Sequence, residues 1–170
     1  METKIVISKL HKFNKRWKRK KAHRAVALMN RVINSNEFRE AVKAFDFTDR
    51  RYQKDPKGPI EEIMDNLKIY EILKQGNEQY GNREDDYKWT LHLKLGKFLR
   101  QVGRREKELI ITQNWFMRRS TDIELAAHWF HEYSHIFGFR HDYEETEERP
   151  NSIPYGLGTI VKDVYKKLNG

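Results

Sequence analysis

Residues 131–141 read His-Glu-Tyr-Ser-His-Ile-Phe-Gly-Phe-Arg-His, which is the pattern H-E-x-x-H-x-x-G-x-x-H without a gap. On an α-helix, residues four apart lie nearly above one another, roughly 6 Å along the axis at about 1.5 Å per residue. His131 and His135 can therefore bind one metal ion. Glu132 lies one step round the helix from His131, where it can reach a water molecule on that ion without ligating it.

Gly138 and His141 complete the pattern. Gly138 stands where a residue of positive φ would end the helix, and the turn that follows would bring His141 to the ion as a third ligand. Three histidine nitrogens leave one of the four positions of Zn²⁺ for water, which is typical of a catalytic site. Chance clustering is the alternative, because the five-residue H-E-x-x-H does arise by accident; the eleven-residue form favours a metal site.

The composition predicts one folded domain. The chain has 170 residues, 38% of them hydrophobic and 35% charged, and contains no cysteine. No run approaches the roughly eighteen apolar residues of a membrane span, and residues 1–24 do not resemble a secretory signal peptide. We therefore expect a chain without a transmembrane segment in the cytoplasm, although a mature chain that had lost a leader would give the same sequence.

The positive charge is concentrated at the N-terminus. Residues 1–24 contain ten Lys and Arg against one Glu, whereas residues 25–170 carry 24 basic and 24 acidic side chains. Within the basic segment, Leu10, Phe13 and Trp17 recur at helical spacing. The net charge of +9 is thus a property of the first residues rather than of the whole chain.

These observations predict a basic amphipathic arm, residues 1–34, built on one helix from Ser8 to Ile33. Three uses of the arm compete. It can be a solvated helix that packs its apolar stripe on the domain, or residues 9–24 can bind a nucleic acid backbone or an anionic membrane surface.

Hydrophobic periodicity, together with helix-breaking Gly and Pro residues, predicts further helices and strands. A second helix capped by Ser35 or Asn36 and a third from Pro59 to about Gly76 are predicted. Residues Tyr87 to Leu95 alternate apolar and polar side chains and predict a strand. A second strand is predicted over Lys107 to Gln113 and a shorter one near Phe98 to Val102.

The last part of the chain predicts two helices. Thr121 and Glu124 form a capping box at the start of the helix that carries the histidines. A turn over Ser152 to Gly156 precedes a closing helix that includes Ile160. Together the elements predict an α+β fold, with a small sheet, the histidine helix, additional N-terminal helices and a C-terminal helix.

The eleven-residue motif resembles that of the metzincin zinc metallopeptidases, specifically over residues 131–141 and more loosely from Tyr87 onward. The resemblance implies a zincin-like domain over residues 35–170, with a small twisted mixed sheet packed against the active-site helix. It also implies roles for single residues. Zinc ligands are His131, His135 and His141, the general base is Glu132, and the turn residue is Gly138.

The chain departs from the family after the third histidine, where metzincins have a turn that contains methionine. No methionine follows His141 in this sequence. Residues 152–156 resemble that turn one residue short, with Pro154 near the methionine's place. Tyr155 then matches a tyrosine that binds the metal or the oxyanion, although it can equally be a packing residue. The pattern resembles bacterial and phage proteins of unassigned function, which have an H-E-Y-x-H helix followed by a P-Y-x-x-G turn, more closely than it resembles any well-studied branch of the family.

The implied function is hydrolysis of peptide bonds within protein or peptide substrates. A zinc-bound water would attack the carbonyl, with Glu132 as general base and Tyr155 as a second catalytic residue. The alternative from another class is a protein that binds nucleic acid or an anionic surface through its basic arm, with a structural metal or an inactive zincin domain. An amidase acting on a non-protein substrate is a third possibility.

Overall fold

The computed structural model describes residues 1–79, 86–97 and 102–170. It has an α+β fold with six α-helices, a four-stranded mixed sheet and a separate two-stranded ribbon. The strands are β1 (Lys4–His11), β2 (Arg51–Tyr52), β3 (Glu61–Glu62), β4 (Lys88–Gly96), β5 (Gly103–Glu106) and β6 (Leu109–Gln113). The helices are α1 (Arg16–Ile33), α2 (Asn36–Ala44), α3 (Asn66–Gln75), α4 (Asn114–Arg119), α5 (Asp122–Phe137) and α6 (Ile153–Asn169). In these ranges no helix is both long and apolar enough to cross a membrane.

The main sheet has the strand order β1-β4-β6-β5. Strands β1, β4 and β6 are parallel, and β5 pairs antiparallel with β6 as an outer strand. Alternate side chains of β4 are buried, so the strand predicted from the period-two pattern is confirmed. Strand β6 confirms the prediction over Lys107 to Gln113. The shorter predicted strand near Phe98 to Val102 falls on residues 98–101, which lie outside the described part of the chain.

The predicted helix from Ser8 to Ile33 is wrong over residues 8–15, because Lys4–His11 is a strand and the helix begins at Arg16. β-Branched residues in the run Ile5-Val6-Ile7 favour an extended backbone that pairs with β4. Lys12, with a positive φ of 64°, follows the strand. Leu10 lies in the strand, Phe13 in the loop and Trp17 in the helix, so their spacing in the sequence does not mark one helix face.

Residues 1–34, predicted as an arm, supply a strand and a helix to the same core as the rest of the chain. The side-chain amide of Asn30 accepts from Ile5 N (2.7 Å) and donates to Ile5 O (2.8 Å). Asn34 makes the same pair of bonds with Thr3, at 2.8 Å each. Asn30 of α1 and Asn34, the residue that caps its end, thus satisfy backbone groups in and just before the outer strand β1, and Met29 of the helix is fully buried.

Caps set the limits of the next two helices. The Ser35 hydroxyl accepts from Phe38 N at 3.1 Å, which confirms the predicted start of α2. Helix α3 ends at Gly76 in the left-handed region, as predicted, but its predicted start at Pro59 is wrong. Asp65 caps α3 instead, because residues 61 and 62 pair with β2 and are held extended.

Helix α5 lies at the centre of the core and carries the H-E-x-x-H residues. Its predicted capping box is present, since Thr121 and Glu124 bond reciprocally. The Trp89 ring of β4 stacks on Tyr133, with centroids 4.9 Å apart, and meets Phe130 edge-on at 4.7 Å. Aromatic packing therefore fixes α5 against the sheet, while α1 and α6 cover its other sides.

Two elements near α5 differ from prediction. Helix α4 was not expected, and the turn predicted over Ser152 to Gly156 is wrong because α6 already begins at Ile153. Pro154 suits that position, since the first helical N–H groups have no partner within the helix and proline has none to offer. Tyr155 consequently lies in the first turn of a helix.

We expect Phe130→Ala to lower the free energy of unfolding by about 3–5 kcal/mol, because the ring is fully buried against Trp89 and Phe38 and its removal leaves a cavity. Urea unfolding followed by circular dichroism measures the change. The control is Tyr143→Ala, which removes a ring that is 92% exposed and should change stability by less than about 0.5 kcal/mol. Equal losses in both variants would contradict the described core.

Candidate metal centre

Three histidines converge at one end of α5. His131 and His135 lie one turn apart on the helix, with ring centroids 5.1 Å apart. The His141 ring comes from the segment after the helix and lies 5.2 Å from His131 and 4.8 Å from His135. One nitrogen of each ring lies within 4.8 Å of the others, so the group can hold a metal ion.

A turn at Gly138 brings the third histidine into place. Gly138 has a φ of 107°, and a Cβ there would lie 2.1 Å from the Gln53 carbonyl oxygen, so only glycine fits. Gln53 N donates to Gly138 O at 2.9 Å, and Arg140 N donates to Arg51 O at 3.0 Å. Residues 138–140 therefore run beside residues 51–53, and this pairing carries the chain back to His141.

Backbone carbonyls fix the ring orientations of two ligands. His135 Nδ1 lies 2.7 Å from Phe139 O, and His141 Nδ1 lies 2.6 Å from Asp142 O. Because a carbonyl only accepts, each Nδ1 carries the proton and leaves Nε2 with a free lone pair. This is the tautomer that a metal needs.

The ligand rings are held neutral. Withdrawal from solvent lowers the pKa of His135 to about 3 and that of His131 well below its ordinary value, and it also lowers the pKa of His141. The positive charge that neighbouring rings would carry adds to the lowering of the His131 pKa, and a hydrogen bond to the Pro154 backbone opposes it. At neutral pH all three imidazoles therefore carry no positive charge, and each has one nitrogen free to bind a metal ion.

Glu132 lies beside the three rings and is buried, with 7% of its surface exposed. Burial raises the pKa of its carboxyl to about 7, against a smaller lowering by Arg105. His128, one turn earlier, places Nδ1 3.8 Å from Glu132 Oε1. A carboxyl with this pKa can accept and release a proton near neutral pH.

Tyr155 packs on the ligand rings from the side of α6. Its ring centroid lies 4.4 Å from that of His131 and 4.9 Å from that of His141. Arg149 Nη2 donates to the Tyr155 hydroxyl oxygen at 2.7 Å, and its guanidinium lies 5.1 Å from the ring centre. Because Arg149 donates to the phenolic oxygen, the phenolic hydrogen of Tyr155 stays available for another acceptor.

Three arginines at the site were not predicted from the sequence. Arg105 donates to His135 O at 2.9 Å and Arg149 holds Tyr155. Arg51 joins Asp49 (2.6 Å) to the side chain of Asp142 (2.7 Å), next to His141. Arg105 and Arg51 bond partners that lie 30 and 91 residues away in the sequence, whereas Arg149 bonds one six residues away that no sequence motif marks.

The site opens into a cavity of about 860 Å³. Its walls include residues 103–105 of β5, Phe116 of α4, the three histidines, Glu132 and Tyr155. All five side chains predicted as metal ligands or catalytic groups therefore face one space. Its size suits a peptide segment or a comparable ligand.

The donor set fits a metal that accepts imidazole nitrogen. One nitrogen of each neutral ring lies within 4.8 Å of the others, and backbone carbonyls fix the Nδ1 protons of two of the rings. This arrangement is typical of a metal site rather than of solvated or packed histidines. Comparisons of the chain with known protein families, with curated proteins and with solved structures give no match.

We expect Gly138→Ala to destabilise the fold by at least about 1–3 kcal/mol and to weaken metal binding, because the side chain would meet the Gln53 carbonyl in a strained backbone conformation. Urea unfolding and metal titration measure the two effects. Gly158→Ala is the matched control, since its Cβ meets nothing closer than 3.5 Å in helix α6. That control should keep or raise stability, as alanine favours a helix over glycine; an unchanged Gly138→Ala variant would contradict the described turn.

Proposed function

We propose that this protein is a zinc-dependent metalloendopeptidase of the metzincin type with a zincin-like fold. The observation that carries the proposal is the set of three neutral histidines around one point, with the buried carboxyl of Glu132 lining the same open cavity. The sequence motif H-E-x-x-H-x-x-G-x-x-H adds independent support.

Zinc is the proposed metal because it prefers few ligands and accepts three histidines. When bound, it supplies Lewis acidity and lowers the pKa of a coordinated water to about 7. His131, His135 and His141 would bind it, and the last two would do so through Nε2. The carbonyls of Phe139 and Asp142 hold the second and third of these rings in the ligating orientation.

Glu132 is the proposed general base. Its carboxylate takes a proton from the attacking water and later gives that proton to the leaving amine. A pKa of about 7 suits both transfers, because neither protonation state is strongly preferred near neutral pH. His128 Nδ1, 3.8 Å from Glu132 Oε1, is the nearest ring nitrogen described for this carboxylate and is close enough to interact with its charge.

Tyr155 is the proposed hydrogen-bond donor to the developing oxyanion. Arg149 donates to its phenolic oxygen, which directs the phenolic hydrogen away from Arg149 and makes the hydroxyl a better donor. Donors aimed at the charge that forms in the transition state are worth several kcal/mol in catalysis. Tyr155, whose ring contacts His131 and His141, would thus act on the reacting carbonyl rather than as a metal ligand.

Strand β5 is the proposed substrate-binding edge. It is the outer strand of the sheet, and Gly103, Arg104 and Arg105 line the cavity. An extended peptide can add to such an edge by main-chain hydrogen bonds. Recognition of main chain along a strand favours cleavage within a chain over removal of terminal residues.

We expect stoichiometric Zn²⁺ to raise the unfolding temperature of the chelator-treated protein, because a ligand that binds only the folded state stabilises it by mass action. Differential scanning fluorimetry and metal analysis measure the effect. His135→Ala should abolish both the temperature rise and the bound zinc, whereas His11→Ala, a change of an exposed histidine outside the site, should keep them. Zinc that stabilises both variants equally would contradict the ligand assignment.

We expect Glu132→Gln to retain zinc and to lose about 10²–10⁴-fold of the cleavage rate on an unfolded protein substrate, because the amide cannot accept a proton. Cleavage of fluorescently labelled casein, with metal analysis in parallel, measures both. The control Glu145→Gln removes an exposed carboxylate at the cavity wall and should change the rate little. Full activity in Glu132→Gln would overturn the role of Glu132.

A further inference from the structure

Helices α1 and α4 form one basic surface, although about a hundred residues separate them in sequence. Lys18 Nζ donates to Asn114 Oδ1 at 2.7 Å, at the start of α4. Lys21 Nζ donates to Met117 O at 2.9 Å and to Ser120 O, at the end of α4. Two lysines thus fix α4 along the first half of α1, and the side chains that face outward from both helices become neighbours.

We define the α1–α4 surface by seven residues of these two helices. It comprises Arg16, Trp17, Lys18, Lys20, Trp115, Arg118 and Arg119. Arg16 and Lys20 lie four residues apart and Trp17 and Lys20 three apart, so they share a face of α1. In the described part of the chain, no carboxylate forms an ion pair with any of the five cations.

The cations of the two helices are close enough to act on one another. Burial and, after it, the positive charges of Lys15 and Arg118 lower the pKa of Lys18. Outside this surface, by contrast, a cation of α1 has an acidic partner, since Arg24 is bonded to Asp122 at 2.6 Å. The surface is therefore a concentration of positive charge without its own counter-charge, and an anionic partner would relieve the repulsion.

Two tryptophans lie among these cations. Trp17 is 41% exposed and Trp115 is 48% exposed, whereas Trp89 and Trp129 are fully buried. Trp17 is the sequence neighbour of Lys18 and Trp115 that of Asn114, so both tryptophans are next in sequence to the residues whose hydrogen bond joins the helices. Exposed aromatic rings beside phosphate-binding cations are the elements with which proteins stack single-stranded bases.

We propose that the α1–α4 surface binds single-stranded nucleic acid without strong sequence preference, through phosphates on the five cations and bases stacked on Trp17 and Trp115. A membrane surface fits less well, because an interfacial helix needs an apolar face to insert. The apolar face of α1, with Ala22, Ala25 and Met29 fully buried, is already packed in the core. Duplex binding would use the cations but leave both rings without a base to stack on.

The α1–α4 surface adjoins the cavity of the metal centre. Phe116, next to Trp115 in α4, lines the cavity, and its ring lies 5.4 Å from that of His128. The Trp115 and Phe116 rings meet edge-on at 5.8 Å. A nucleic acid on this surface would therefore pass beside the cavity, but the inference stands whether or not the protein is a peptidase.

The test is fluorescence anisotropy of a labelled 20-nucleotide oligo(dT) with the full chain at several salt concentrations. If all five cations contact phosphates, the logarithm of the association constant should fall with a slope of about −3.5 against the logarithm of salt concentration. Replacing Arg118 and Arg119 together with Gln should reduce the slope by about 1.4 and weaken binding about 25-fold at 0.1 M salt. Replacing Lys166 and Lys167, exposed cations at the far end of α6, with Gln makes the same change in net charge and should leave binding nearly unchanged.

Tryptophan emission tests the stacking. Oligo(dT) should quench part of the emission of the wild-type protein and none of that of the Trp17→Ala, Trp115→Ala double variant, in which only buried tryptophans remain. The double variant should bind at least about tenfold more weakly, and phenylalanine at both positions should restore most of the affinity without restoring the quenching.

Four results would overturn the proposal. The first two are that the protein does not bind oligo(dT), or that it binds duplex DNA of the same length with equal affinity. The third is that it binds phosphatidylglycerol vesicles instead of oligo(dT). The fourth is that replacing the arginine pair and replacing the α6 lysine pair weaken binding equally. Circular dichroism and urea unfolding should show that every variant keeps the wild-type fold, since the replaced side chains are exposed and Lys18 and Lys21, which hold α4, are unchanged.

Discussion

The pairing of residues 138–140 with residues 51–53 is the contact on which the three-histidine group of the candidate metal centre depends. A helix can supply two ligands by its own periodicity, but the third must be brought back by the chain that follows it. The close approach of Gly138 to the Gln53 carbonyl, the hydrogen bond from Arg140 N to Arg51 O and the contact between the Tyr52 and Phe139 rings fix that return. A side chain at 138 would separate the two segments, and His141 would move with the second of them.

The same segment also sets the tautomer and the charge state of the histidines. The carbonyls of Phe139 and Asp142 are directed at Nδ1 of His135 and His141 because the turn places them there, so the tautomer follows from the backbone path. Withdrawal from water then keeps the rings neutral. Burying three imidazoles close together costs stability in the metal-free protein, and a bound cation offsets that cost because each free nitrogen gains a partner.

Local patterns predicted a large part of the fold and the site. The alternation in β4, the caps of α2 and α5 and the glycines that end α3 and α5 are signals carried by adjacent residues, and all of them agree with the structure. The run Lys4–His11 was misread because a strand, a loop and a helix happened to place apolar residues three and four apart. Arg51, Arg105 and Arg149 could not be predicted, since each meets a partner that only the tertiary fold brings near or that no motif marks.

The positive side chains of the molecule serve two different physical roles. At the cavity, Arg51 is held by Asp49 and Asp142, while Arg105 and Arg149 donate to His135 O and to Tyr155, so these cations brace the site. On the α1–α4 surface, the hydrogen bonds of Lys18 go to a neutral amide, and no carboxylate of the described residues neutralises the five cations. Because an ion pair cancels most of its field and an unpaired cation does not, the positive field of these five cations acts outward from α1 and α4. A partner steered by this charge would therefore reach that surface before it reached the metal centre.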